Sequence, residues 1–267
     1  MSQVKEKGSM MLLCIDVGNT NIVLGIFRDD RMLNHWRIRT ETDMTSDELG
    51  VVIRNLLKPA RLEIEGIRGI IISCVVPPLL SAFKDFCLLY LHHEPMIVGP
   101  GIETGMRINY DNPKEVGADR IVNAVAAYEK YRTGLIVVDF GTATTFDYIS
   151  PQGSYEGGAI APGITISAEA LFQKTSKLPR VEILAKPKTV IAKETISSIN
   201  AGLIYGHAAM VDGIVNRIKR EAGSDLTVIA TGGLAPVIKS EAISIDHIEE
   251  FLTLEGLKIL HRLNSTQ

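Results

Sequence analysis

Two short phrases in this chain carry the residue types that phosphate chemistry needs. Near the start, Leu12-Leu13-Cys14-Ile15 runs into Asp16-Val17-Gly18-Asn19-Thr20-Asn21. In the middle, Leu135-Ile136-Val137-Val138 runs into Asp139-Phe140-Gly141-Thr142-Ala143-Thr144-Thr145. Each is an apolar run too dense for a half-exposed strand, followed by an acid, one residue, a glycine and a cluster of hydroxyls or amides. Such a run predicts a strand buried on both faces. The glycine lets the backbone turn sharply or approach a ligand closely. The amides of Gly18, Asn19 and Thr20 can point at phosphate oxygens, as backbone nests do for anions. A neighbouring Asp can hold Mg²⁺, mostly through water, because that ion gives up its hydration shell reluctantly. A single copy reads as an ordinary strand-end turn. Two copies, each after a buried strand, point instead to a nucleoside triphosphate enclosed by two hairpins across a cleft. Neither copy is a P-loop, and no Gly-x-Gly-x-x-Gly follows a strand.

The rest of the chain supplies elements that can position these turns. Met11–Val17, Ile22–Arg28 and Met32–Arg39 read as three strands, the second and third joined by the polar turn Asp29-Asp30. A helix through Leu49, Val52, Ile53, Leu56 and Leu57 begins at a capping box of Thr45 and Glu48 and stops at Pro59. Gly69–Val76 is a further buried strand, then comes a helix carrying Leu79, Leu80, Phe83, Phe86 and Leu89, and a short strand over Met96–Val98. Residues 99–113, rich in Gly, Pro and Asn, mark the expected domain boundary. A helix follows from about Gly117 to Tyr131. After the second Asp-x-Gly strand, Phe146–Ser150 pairs back on it. Ile164–Phe172 is helical, Thr195–Glu221 forms one long helix or two, Leu226–Ala230 is a strand, and Leu252–Leu263 is a terminal amphipathic helix. Tyr155–Gly163 stands out only for its glycines. Strands followed by helices in this rhythm predict an α/β layer fold written twice in tandem: residues 11–115 and 116–267, with the last helix packing back on the first half. Residues 1–10 are polar, lack the apolar core of a signal peptide and are left out of the fold.

Composition narrows the function classes. The 267 residues are 46% apolar and 22% charged, with a formal net charge of −3. No basic stripe suggests nucleic acid, and no apolar run approaches the ~20 residues that span a bilayer. Cys14, Cys74 and Cys87 have no metal-ligand spacing and read as buried, reduced thiols of a cytoplasmic protein. His92-His93 reads as an exposed helix end rather than a metal site, since neighbouring side chains diverge on a helix. Trp36 reads as sheet packing.

The paired hairpins resemble the actin, Hsp70 and sugar-kinase superfamily, and the details resemble type III pantothenate kinases from Met11 onward. The resemblance rests on Asp16-Val17-Gly18-Asn19-Thr20-Asn21, Thr104-Gly105-Met106 with Tyr110-Asp111-Asn112-Pro113, and Gly117-Ala118-Asp119-Arg120. It continues through Asp139-Phe140-Gly141-Thr142-Ala143-Thr144-Thr145, Gly157-Gly158-Ala159-Ile160-Ala161-Pro162-Gly163, Lys177-Leu178-Pro179-Arg180 and Thr253-Leu254-Glu255-Gly256-Leu257. Glu103 and Arg107 depart from the family's usual basic residue and proline.

The resemblance implies two tandem ribonuclease H-like (actin-like ATPase) domains with the nucleotide in the cleft between them. It also implies ATP-dependent phosphorylation of pantothenate to 4'-phosphopantothenate, the first step of coenzyme A synthesis. Asp16, Val17, Gly18, Asn19, Thr20, Asn21, Ile22 and Val23 would form the first phosphate loop, and Thr142 would contact ATP. Asp139 would bind a monovalent cation, K⁺ or NH₄⁺, and Mg²⁺ would sit near Asp16. Asp119 would be the base for the pantothenate hydroxyl. Its place at a helix start predicts a lowered pKa, unless it is simply an N-terminal carboxylate. Arg120 would hold the substrate carboxylate, the alternative being a surface cation. Tyr110, Gly117, Ala118 and Thr195 would complete the pantothenate pocket. Thr195 would reach it across a homodimer interface, or else act as a helix cap. Gly232 and Gly233 would lie near adenine or serve strand-to-helix packing. A non-catalytic regulator on the same fold, or a kinase of another small hydroxylated substrate, are the competing expectations.

Overall fold

The computed structural model describes residues 11–182 and 187–265. The expected polar head, residues 1–10, lies outside the described residues. The described residues fold as two compact units: 11–105, 112–126 and 253–265 form the first, and 106–111 with 127–182 and 187–252 the second. A six-residue piece of the long loop belongs with the second unit, and the terminal helix belongs with the first.

The first unit contains β1 (Met11–Val17), β2 (Asn21–Arg28), β3 (Arg31–Arg39), α1 (Ser46–Leu57), β4 (Ile67–Cys74), α2 (Pro77–Phe86) and β5 (Met96–Ile97). The helix α3 (Ala118–Tyr131) contributes its first turns to this unit. The second unit contains β6 (Leu135–Phe140), β7 (Ala143–Ile149), β8 (Tyr155–Pro162), α4 (Ile164–Lys174), α5 (Thr195–Ala222), β9 (Thr227–Thr231), α6 (Ala235–Lys239) and β10 (His247–Ile248). The terminal α7 (Leu252–Ser265) returns to the first unit.

The two sheets repeat one topology. Their orders are β3-β2-β1-β4-β5 and β10-β9-β6-β7-β8. In each, an antiparallel three-strand meander continues through the central strand into two parallel strands. This is the ribonuclease H-like arrangement, present twice. The duplicated Asp-x-Gly phrase therefore falls at the same place in both sheets, at the turn between the central strand and its meander partner.

Burial explains why those strands are so apolar. In the first unit, Leu13, Ile15 and Val17 of β1 pack with Leu49 and Ile53 of α1 and Phe83 and Phe86 of α2. Burial of each such side chain stabilises the unit by roughly 1.5–3 kcal/mol. The opposite face of the sheet receives α7. A Cβ at Gly25 would lie 2.8 Å from Leu254 Cδ1, and one at Gly69 2.8 Å from His261 Nε2. In the second unit, Ile136, Val138 and Phe140 of β6 join Ile164 of α4 and Ile204 and Val211 of α5. Leu135 through Val138 are all buried, as the density of the run predicts for a central strand.

Local signals read from the sequence have direct counterparts. Thr45 caps α1, with its hydroxyl bonded to the Glu48 amide and the Glu48 carboxylate bonded back to the Thr45 amide. Cys14, Cys74 and Cys87 are free thiols, two of them buried. His92 ends the second helix of the first unit in a left-handed conformation, with φ of 57°. Other features differ. The helix starting at Pro77 passes into a π turn over Cys87–Leu91, whereas Thr195–Ala222 takes the first of its two expected forms, one continuous helix. The glycine-rich Tyr155–Pro162 is a full strand. A Cβ at Gly158 would fall 1.6 Å from the Phe146 carbonyl oxygen, so this glycine admits a cross-strand approach that any side chain would block.

Candidate active site

At the first turn, β1 ends in buried Val17, and the Gly18 amide donates to the Asn21 carbonyl at 3.0 Å, closing the loop on itself. Thr40, at the end of β3, braces it from outside. Its hydroxyl donates to the Gly18 carbonyl at 2.6 Å and its amide to the Thr20 carbonyl at 3.0 Å. Asn19 and Thr20 are exposed at the tip, whereas Ile22 is buried and Val23 half-buried. Asp16 is half-buried on the sheet face away from the Ile15–Val17 cluster, opposite Val23 on one side and Ser73 on the other. Burial raises the nearby Cys74 thiol, and the Asp16 charge adds to that, so the thiol stays protonated. Thr40 was not among the expected site residues. Only the meander brings it beside a turn 20 residues earlier.

The second turn is built differently. The Gly141 amide donates to the Ala143 carbonyl at 3.1 Å, and Thr142 is half-buried at the tip. A Cβ at Gly163 would fall 2.2 Å from the Thr142 carbonyl oxygen, so the chain after β8 passes directly over this turn. Asp139 lies opposite Thr145 of β7 and Thr231 of β9. Gly232, with φ of 91°, brings its backbone against it: a Cβ there would lie 2.7 Å from both Asp139 Oδ1 and the Phe140 carbonyl oxygen. Gly232 therefore borders the Asp139 carboxylate, where adenine contact or plain packing was expected. The missing side chain lets the Gly232 backbone pack directly against the Asp139 carboxylate and the Phe140 carbonyl. Among the described residues no group of three or more His, Cys, Asp or Glu is gathered that could hold a metal ion. A divalent ion near Asp16 would accordingly depend on phosphate and water oxygens for most of its shell.

Asp119 is the second residue of α3. Its Oδ1 accepts the Arg120 amide at 2.9 Å, a first-turn N–H that it shares with the Gly117 carbonyl. Gly117 precedes the helix, and its carbonyl accepts from the Arg120 and Ile121 amides. A Cβ on Gly117 would sit 2.5 Å from Asp119 Oδ1, so the absence of a side chain at 117 gives the carboxylate its place. Burial pushes the Asp119 carboxyl above the ordinary carboxylate value, although the Arg120 amide and guanidinium both pull it down. This corrects the expectation of a lowered pKa from the helix dipole: desolvation outweighs it. Its consequence is a stronger base than a surface carboxylate.

Arg120 is only 8% exposed, which excludes the surface-cation reading. A guanidinium is withdrawn from water to this extent only in the company of anions or acceptors, and the Asp119 carboxylate is one of them. Sequence patterning missed this, because an Arg between Asp119 and Ile121 looks like any helix cation. Ala118, the first helical residue, is half-buried beside them. Tyr110 is half-buried with its ring against Tyr155, both in the second unit. Thr195 starts α5 and is exposed. The cap position is Glu194, and no side chain caps this helix, so Thr195 is not a cap. It lines a groove of about 720 Å³ with Leu171, Leu178 and Leu203.

A family model described as type III pantothenate kinase matches residues 12–217 of this chain. That span includes both turns, the Gly117–Arg120 corner and Thr195. The chain belongs to the type III pantothenate kinase family. It is 59% identical to the type III pantothenate kinase of Syntrophobacter fumaroxidans over 95% of this chain and 98% of the relative. To the type III pantothenate kinase of Syntrophus aciditrophicus it is 60% identical over 96% of this chain and the whole relative. Among solved structures, one described as a conserved putative Baf family transcriptional activator from Campylobacter jejuni matches with a TM-score of 0.60 and 18% identity. That match covers 96% of this chain and all of the other. A putative 2-dehydro-3-deoxygalactonokinase from Sinorhizobium meliloti matches with a TM-score of 0.59 and 12% identity, over 94% and 96% of the two chains. At these identities the likeness shows the fold that type III pantothenate kinases share with sugar kinases, and nothing about partners.

Proposed function

We propose that this protein transfers the γ-phosphoryl group of ATP to the hydroxyl of pantothenate, giving 4'-phosphopantothenate for coenzyme A synthesis. The observation that carries this reading is the family match running through a desolvated carboxylate, Asp119, beside Gly117, whose missing side chain leaves the carboxylate its place. In our reading the backbone from Asp16 to Val23, braced by Thr40, holds ATP phosphates, and Thr142 contacts the nucleotide from the second turn. Mg²⁺ bound with ATP supplies charge neutralisation for phosphoryl transfer. Asp16 would hold it, through water. Asp139, beside the second turn, would hold K⁺ or NH₄⁺, as the family resemblance implies.

Asp119 orients the pantothenate hydroxyl and accepts its proton as the O–P bond forms. Its raised pKa makes it a better acceptor, and the Arg120 amide keeps one oxygen fixed. Arg120 takes the pantothenate carboxylate, its charge undiluted by water. Gly117, Ala118 and Tyr110 contribute to pantothenate binding, and Thr195 completes it in a homodimer. The protein works in the cytoplasm, without nucleic acid or membrane partners. Among the described residues no helix is long and apolar enough to cross a membrane. The three acids Asp16, Asp119 and Asp139 disfavour a regulator that has lost catalysis.

The test is ADP release with Mg-ATP, with and without pantothenate, in potassium and then in sodium. Pantothenate-dependent release that falls when sodium replaces potassium is expected. Absence of pantothenate-dependent release in both salts would refute the reading.

A further inference from the structure

Asp147 lies in β7 and Tyr155 opens β8. Both have no exposed surface. The Tyr155 hydroxyl donates to Asp147 Oδ1 at 2.6 Å, and the Thr145 hydroxyl donates to Oδ2 at 3.1 Å. A buried carboxylate is a poor way to gain cohesion, since an apolar group of the same shape would be at least as stable there. What distinguishes it is direction. It fixes the tyrosine ring at one height and one orientation between the strands.

The backbone of that same tyrosine holds the loop segment ahead of Tyr110. The Tyr155 amide donates to the Arg107 carbonyl at 2.8 Å, and the Asn109 amide donates to the Tyr155 carbonyl at 2.8 Å. Ile108 bridges Tyr155 in parallel register. Arg107 is engaged through its carbonyl, a bond that proline could also accept. The neighbouring Glu156 takes the Asn109 side-chain amide at 3.0 Å on each carboxylate oxygen. The Tyr110 ring then tilts against the Tyr155 ring, centroids 6.4 Å apart at 53°. Gly157, with φ of 108°, lies beside the Tyr110 edge: a Cβ there would be in ordinary contact, 3.5 Å from Tyr110 Cε2. Residues 107–110 thus take their position from residues 155–157, and those take theirs from Asp147.

We infer that Asp147 and Tyr155 are positioning residues for the acceptor substrate. They set the Tyr110 segment and thereby the affinity for pantothenate, without touching substrate or nucleotide. This rests on the reading of Tyr110 as a pantothenate contact. A residue that acts only by placing a binding group changes ground-state and transition-state binding alike, so its loss raises KM and spares kcat.

The test is Tyr155→Phe, which keeps the ring and removes the hydroxyl. The pantothenate KM should rise about tenfold, the order expected for one lost bond to a charged group. The KM for ATP and kcat should stay within about twofold. In a Tyr110→Ala background the same change should add less than about twofold, because the group it positions is gone. An unchanged pantothenate KM, an equal rise in both KM values, or full additivity in the double variant would overturn the inference. If Tyr155→Phe does not fold, Thr145→Val, which removes a second donor to Asp147, decides in its place. A pantothenate KM raised about threefold with the ATP KM unchanged supports the inference, and no change overturns it. Wild-type protein without pantothenate-dependent ADP release would sink the underlying reading instead. An active wild type with an unchanged variant sinks only this one.

Discussion

Replacement of Gly117 by alanine separates the placement of the base from the stability of the fold. The added Cβ would lie 2.5 Å from Asp119 Oδ1 and 3.9 Å from Arg120 Cδ, with backbone atoms farther away. The carboxylate must therefore move by about 0.9 Å to restore ordinary contact, while Arg120 is undisturbed. A misplacement of about 1 Å in a reacting group costs on the order of 100-fold in rate, or about 2.7 kcal/mol of barrier. The fold should hardly notice. The Gly117 carbonyl keeps its bonds to the Arg120 and Ile121 amides, and alanine at such a helix start changes stability by less than about 1 kcal/mol. The assay is steady-state ADP release at saturating Mg-ATP over a pantothenate range, with a thermal melt and an ATP binding measurement alongside. A hundredfold loss in kcat/KM for pantothenate, with Tm and ATP affinity near wild type, is expected. Activity within about threefold of wild type would refute the reasoning, because a displaced carboxylate would then be as good as a placed one.

Further outcomes follow from the same geometry. Asp119→Asn should abolish transfer and leave ATP binding intact, as measured by calorimetry. Because burial raises the Asp119 pKa in the folded state, its contribution to stability is present at acid pH and lost as pH rises through the folded value. The asparagine variant should therefore melt higher than wild type at neutral pH, with the difference fading below the ordinary carboxylate value of 3.8. A variant that melts lower at neutral pH would contradict the desolvation argument. Asp139→Asn should remove the potassium response, so that turnover is equally low in potassium and sodium. A preserved potassium response would move the cation elsewhere. Gly163→Ala should yield little folded protein, because its Cβ would fall 2.2 Å from a backbone carbonyl oxygen. A normal melt would show that the second turn yields.

Much of this was legible in the residues alone, for physical reasons. Strands buried on both faces must be apolar throughout, so Leu135 through Val138 announced a central strand. Thr45 and Glu48 announced a helix start because a capping box leaves few other conformations for its residues. The strand Tyr155–Pro162 was not legible, since glycines weaken strand propensity. Here Gly158 is required by a carbonyl oxygen on the adjacent strand, which no local pattern reveals. Arg120 gave no sign of burial, because its environment comes from residues distant in sequence. The Asp119 pKa went the other way from expectation for the same reason: a helix start is visible in sequence, and desolvation is not. Thr40, Gly163 and Gly232 support the two turns from other strands or their ends. Thr40 carried no signal beyond residue type, and for Gly163 and Gly232 spacing along the chain could not assign a partner.

The central claim is that Asp119 receives the proton of the pantothenate hydroxyl while other residues hold ATP. The most direct measurement is phosphopantothenate itself, followed by mass spectrometry in single-turnover reactions of wild type and Asp119→Asn, each with ATP bound to the same extent. Product in proportion to bound ATP from wild type, and none above the uncatalysed level from Asp119→Asn, is the predicted result. Product from the variant at a rate near wild type, or no product from wild type, would contradict it.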